Sequence, residues 1–172
     1  MTPDLIVVHC SASGWGTLEV IDGWHRDRGF RRSRNAQPRH VGYHYVIENG
    51  HARSGARYNV ARDGAIRPAR DEDEQGAHAR GVNAHSLGVC LVGRDDFSER
   101  QLAALLLLLA SLCVRYGLAA DAVIGHRETD HEQASDSPKT CPQLDCDDLR
   151  ARLAELLASL AQITGNGASD DG

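Results

Sequence analysis

Short β-rich runs alternating with longer helical patterns constrain this chain more than any other feature. LIVVHC at 5–10, YHYVIE at 43–48, LGVCLVG at 87–93 and AVIG at 122–125 are too short for ordinary helices. Three of them are apolar without alternation, as strands covered on both faces are. Between them, Thr17 to Phe30 sets Leu18, Ile21 and Trp24 on one side before Gly29, and Asp147 to Ile163 carries Leu149, Leu153, Leu156, Leu157 and Leu160 before Gly165. Leu102 to Val114 is apolar almost throughout but is bracketed by Arg100 and Arg115. It falls short of the roughly 20 residues that cross a bilayer, so it reads as a buried helix. Ser98 and Gln101 have the spacing of a capping box at its start, and Gly117 suits the left-handed turn that would stop it. The alternation predicts an α/β fold, a layered single domain around one sheet. The turn signals ENG at 48–50 and RDG at 62–64 predict a meander of short strands and loops mid-chain.

A length of 172 residues fits one domain with one sizeable core. The expected folded unit is 1–164, with the small, acidic residues 165–172 forming a disordered tail. A net charge of −5 gives no field for gripping phosphate backbones, and the arginines at 26, 28, 31, 32, 34 and 39 read as a solvated basic loop. No nucleic-acid partner and no membrane insertion are therefore expected, and the chain is expected to be a monomer. The five cysteines are odd in number, and MTPDLIVV lacks the features of a signal peptide. The expectation is a chain made and kept in a reducing cytosol.

Three potential metal ligands fall where strands end or loops turn. His9 closes LIVVHC, His126 follows AVIG, and Cys141 lies in SPKTCP, where two prolines bracket a lysine and a thiol. Two neutral imidazoles, one thiolate and an open position make a sound catalytic zinc site, and strand ends are where α/β sheets gather site residues. By spacing alone this trio is one choice among many, since the chain has nine histidines. In an extended segment residues i and i+2 point the same way, so PKTCP would aim Lys139 and Cys141 at one place.

Five blocks in order, HCSAS at 9–13, VGYHYVIENG at 41–50, GAHARGVNAHSLGVCLVG at 76–93, GHRE at 125–128 and PKTCP at 138–142, resemble the zinc-dependent N-acetylmuramoyl-L-alanine amidases related to phage lysozyme-type amidases and peptidoglycan recognition proteins. The resemblance spans residues 4 to about 145 and leaves out the last helix. It implies a central mixed β-sheet flanked by α-helices and a zinc hydrolase that cleaves the amide between N-acetylmuramic acid and L-alanine of peptidoglycan. Carried over block by block, it places zinc ligands at His9, His126 and Cys141, the catalytic tyrosine at Tyr43 and the catalytic lysine at Lys139. It places groove residues at His44, His78 and Asn83. An endolysin acting on the wall once released at lysis is the implied role, with a muropeptide-recycling amidase as the alternative.

The chain departs from the pattern after Cys141, where Gln143 and Leu144 replace a glycine and an aromatic. Cys146 offers a second thiol, and Asp130, His131 and Asp136 lie close enough in sequence to approach the same ion. The segment RRSRNAQPRH at 31–40 is absent from the shortest phage relatives. Two other classes stay open on the residues alone: a non-catalytic peptidoglycan-binding module, and a cysteine hydrolase with Cys141 as nucleophile and His126 as base.

Overall fold

The sheet is built from β1 (Leu5–Cys10), β2 (Tyr45–Asn49), β3 (Asp63–Pro68), β4 (Ser86–Leu91) and β5 (Val123–Gly125), in the order β3-β2-β4-β1-β5. The computed structural model describes residues 1–166 apart from 36, 38, 137 and 138. β1 runs parallel to β4 and β5, β2 runs parallel to β4, and only β3 is antiparallel, so the sheet is mixed as expected. β3 lies within the mid-chain meander of short strands and loops, although no run of residues marked its bounds. Its burial alternates loosely along DGAIRP, and it gains strand geometry by pairing with β2 across a register shift between Ile47 and Asn49.

The helices begin and end where local chemistry dictates. α1 (Leu18–Asp27) starts at Thr17, whose side chain accepts a hydrogen bond from the Val20 N–H, with Glu19 in the first turn and Arg26 in the last. α2 (Glu99–Tyr116) carries the expected box: Ser98 Oγ accepts from Gln101 N at 3.0 Å and Gln101 Oε1 from Ser98 N at 3.3 Å. The Gln101 amide also donates to the carbonyls of Ile47 and Val92, tying the cap to the sheet. Gly117 takes φ 66° and its N–H reaches the Cys113 carbonyl, which ends the helix. α3 (Asp130–Gln133) is a single turn. α4 (Cys146–Asn166) runs past Gly165; the rest of the expected tail, from 167 on, lies outside the described residues.

Period-2 alternation sorts the strand side chains between two faces. Ile6, Val8, Leu87, Val89 and Leu91 meet Leu105, Leu109 and Leu112 of α2 and Leu149 and Leu153 of α4 in the main core. The opposite face carries a smaller cluster in which Leu18 and Ile21 of α1 pack with Val41, Val46 and Val92. Among the described residues no helix is long and apolar enough to cross a membrane.

The described part of the 31–40 segment keeps Arg31, Arg32 and Arg34 exposed, as expected of a solvated basic loop, while its backbone is tied to the fold. Glu74 Oε2 accepts the Arg34 N–H at 3.0 Å, and the buried Arg70 pairs with Glu74 at 3.1 Å while donating to the carbonyls of Arg31 and Val41. Asp22 accepts from the backbone N–H of His40 and Val41 where the segment rejoins the fold. A buried ion pair that also meets backbone carbonyls leaves few of its polar atoms unpaired, which is the condition for burying one at all.

Candidate active site

His9 is the fifth residue of β1, and because Ile6 and Val8 face the main core it projects from the other face, toward α1. β5 pairs with β1 through Val8 and Gly125, so His126, the next residue, emerges beside His9; the two rings lie 4.5 Å apart between centroids. Cys141 is brought to the same point from the other side. The Cys10 N–H donates to its Sγ at 3.0 Å, and its carbonyl accepts the Arg127 N–H at 2.7 Å. One donor atom each from His9, His126 and Cys141 lies within 4.8 Å of the others.

The donor set fits a borderline-soft divalent ion such as zinc. Burial, reinforced by the neighbouring His78, His126 and His25, holds the His9 pKa well below its ordinary value, and burial also lowers that of His126. Both rings are therefore neutral at pH 7, as ligands must be. Without a metal, the hydrogen bond with Cys10 and then burial keep the Cys141 thiol protonated, and coordination would expel that proton. Cys146 is outside the donor set: its Sγ faces the Leu144 carbonyl, where burial raises its pKa to about 11.

A groove of about 660 Å³ opens over these atoms and is lined in addition by Tyr43, Lys139 and His131. The Tyr43 ring lies 5.0 Å from that of His9, and burial raises its phenol well above the ordinary range, so it holds its proton at pH 7. Lys139 is exposed, and its charge disfavours protonation of His126. A second hollow of about 500 Å³ shares Lys139 and Cys141 and continues past Gln143 to Arg94. Leu144 packs instead against the main core.

The three expected groove residues separate in the structure. His78 lines the groove, but its Nδ1 shares a hydrogen bond of 3.1 Å with His9 Nε2. Its Nε2 is buried without a hydrogen-bond partner. Gly76 and Gly88 make room for the ring, since an added Cβ would come within 2.4 Å and 2.6 Å of it. Asn83 also lines the groove, while its Oδ1 accepts from the backbone N–H of His78 and Ala79. His44 does not reach the groove, which corrects its assignment. It is fully buried, its Nε2 engages the Glu74 carbonyl and its Nδ1 accepts the Gly88 N–H, so it braces the floor beneath His78.

Among the groove residues that escaped the sequence reading are His25 and Glu132. His25 lies on the buried stripe of α1 with Leu18 and Ile21, and its Nδ1 accepts the Gly42 N–H at 2.9 Å. Burial lowers its pKa to about 4. The available signal was a histidine at i+4 from Ile21, where an apolar residue belongs. Glu132 of α3 lies behind His126, and no local pattern marks it.

The family model for N-acetylmuramoyl-L-alanine amidase matches residues 1–144. The chain is similar to the endolysin of Klebsiella phage KP32, 34% identical over 152 residues that cover 81% of this chain and 80% of that one. It is also similar to the endolysin of Escherichia phage T7, 34% identical over 154 residues that cover 83% and 82%. In fold it is similar to the solved N-acetylmuramoyl-L-alanine amidase LysC from Clostridium intestinale URNW, with a TM-score of 0.66, 24% identity and coverage of 89% and 86%. The matched region runs from before β1 to just beyond Cys141 and so holds every residue of the groove described above, which places the chain in the N-acetylmuramoyl-L-alanine amidase family.

Proposed function

We propose that this protein is a zinc-dependent N-acetylmuramoyl-L-alanine amidase of the phage endolysin kind, hydrolysing the amide between the lactyl group of N-acetylmuramic acid and L-alanine. The observation that carries the reading is the convergence of His9, His126 and Cys141 donor atoms within 4.8 Å, on the floor of a groove that Tyr43 and Lys139 also line. Bound there, zinc would supply Lewis acidity and a water acidic enough to act near neutral pH.

The chain's own groups then divide the work. The His9 and His126 imidazoles and the Cys141 thiolate would hold the ion. Lys139, exposed at the rim, places an ammonium where negative charge builds on the carbonyl oxygen. Tyr43 keeps its phenol proton and so can orient the attacking water or pass a proton toward the leaving amine. The open groove suits an extended glycan-peptide better than an enclosed small molecule.

Mass analysis of products tests the reading. Intact sacculi should release stem peptides that begin with a free L-alanine amine, leaving glycan strands with intact sugar linkages. New reducing sugar ends, or cleavage within the stem, would overturn it. A parallel digest of soluble anhydro-muropeptide separates an endolysin from a recycling enzyme, which would prefer the soluble substrate. Tyr43→Phe tests the groove chemistry further: it keeps the ring packing, so zinc content and melting temperature should stay close to wild type while turnover falls by about 10²-fold or more, the scale of a lost proton-transfer group. Unchanged turnover would reduce Tyr43 to a packing residue.

A further inference from the structure

We infer that Glu132 is a positioning residue that fixes both the His126 imidazole and the loop carrying Lys139 and Cys141, and so sets how tightly the metal is held. The inference rests on the zinc reading above. Glu132 is buried, and its two carboxylate oxygens face different parts of the site. Oε1 lies 3.5 Å from His126 Nε2, longer than a good hydrogen bond but near enough for the carboxylate to bias the ring, and Oε2 accepts the Lys139 backbone N–H at 3.0 Å.

The carboxylate is itself held in place. The Glu132 N–H donates to the Thr129 carbonyl at 3.0 Å, and Thr129 Oγ1 donates to the His126 carbonyl at 3.0 Å. The turn therefore closes on the same histidine that its acid faces. A buried carboxylate opposite an imidazole nitrogen favours the tautomer with the proton on that nitrogen, leaving the Nδ1 lone pair for a metal. On the other side of the site His78 occupies His9 Nε2 in the same way. Both ligand rings thus have Nε2 engaged by protein, one through a neutral ring and one through a charge. Glu132 differs from His78 in reach, because its second oxygen restrains the backbone two residues before the thiol ligand.

The test is zinc competition against a chromophoric chelator for the wild-type protein, Glu132→Gln and Glu132→Ala, with the melting of each zinc-free protein measured alongside. Loss of such an outer partner typically weakens metal binding by about 10- to 100-fold. Glu132→Ala should fall near the upper end of that range. Glu132→Gln should fall near the lower end, since its amide oxygen can still accept the Lys139 N–H, and zinc-free melting should match wild type. Wild-type zinc affinity in both variants would overturn the inference, as would weakening in Glu132→Ala matched by an equal loss of zinc-free stability. If Glu132→Ala does not fold, the glutamine variant decides alone, and unchanged affinity there overturns the role. A wild-type protein that binds no zinc refutes the metal reading itself, which is a separate result from zinc bound equally by all three proteins.

Discussion

The purified protein is expected to carry about one zinc per chain, and His9→Ala to lose it together with its amidase activity. If removal of an outer partner costs 10- to 100-fold in metal affinity, removal of one of three direct ligands should cost more than about 100-fold. A chelator should abolish wild-type activity and added zinc restore it. A thiol alkylator should act slowly on the zinc-loaded protein, because the Cys141 sulfur would already be coordinated, and quickly after chelation. The cysteine-hydrolase alternative reverses the pattern: chelation is harmless, alkylation is immediate, and an acyl-enzyme forms on Cys141. Full zinc in His9→Ala, by elemental analysis, would show the ligand set to be misassigned.

Lys139→Ala should retain zinc and lower kcat/KM by about 10²- to 10³-fold, corresponding to roughly 2.7–4 kcal/mol of lost oxyanion stabilisation. The prediction is sharp because the side chain is exposed. Truncating an exposed side chain away from buried contacts usually changes stability by no more than about 0.5 kcal/mol, so a large loss of rate cannot be a folding effect. The backbone N–H that bonds Glu132 survives the substitution. Equal kcat/KM in the variant and wild type would remove Lys139 from the chemistry.

What was legible in the sequence was what local chemistry decides. The Ser98–Gln101 box and the Gly117 stop depend on residues a few positions apart, and both stand where expected. The bounds of β3 within the expected meander were not legible, because DGAIRP lacks a run of β-formers and owes its geometry to its partner strand. In the site, strand ends supplied His9 and His126, and Lys139 and Cys141, two residues apart, line one groove. His44 was placed in the groove by the resemblance, and the structure turns it away from its neighbour Tyr43. Neighbours in sequence seldom share a face, and His44 turns toward β4 while Tyr43 lines the groove. Glu132 reaches the site only through tertiary packing, which no spacing encodes, whereas His25 left a trace in its place on the apolar stripe of α1.

The wide separation of His9 and His126 along the chain has a consequence during synthesis. They become neighbours only when β5, an edge strand that pairs with β1 alone, docks beside it, and the thiol arrives fifteen residues later at Cys141. A nascent chain emerging from the ribosome, however well its earlier strands have paired, holds one prospective ligand until His126 has been added. A product that ends before β5 therefore holds only His9 of the three and cannot assemble the donor set.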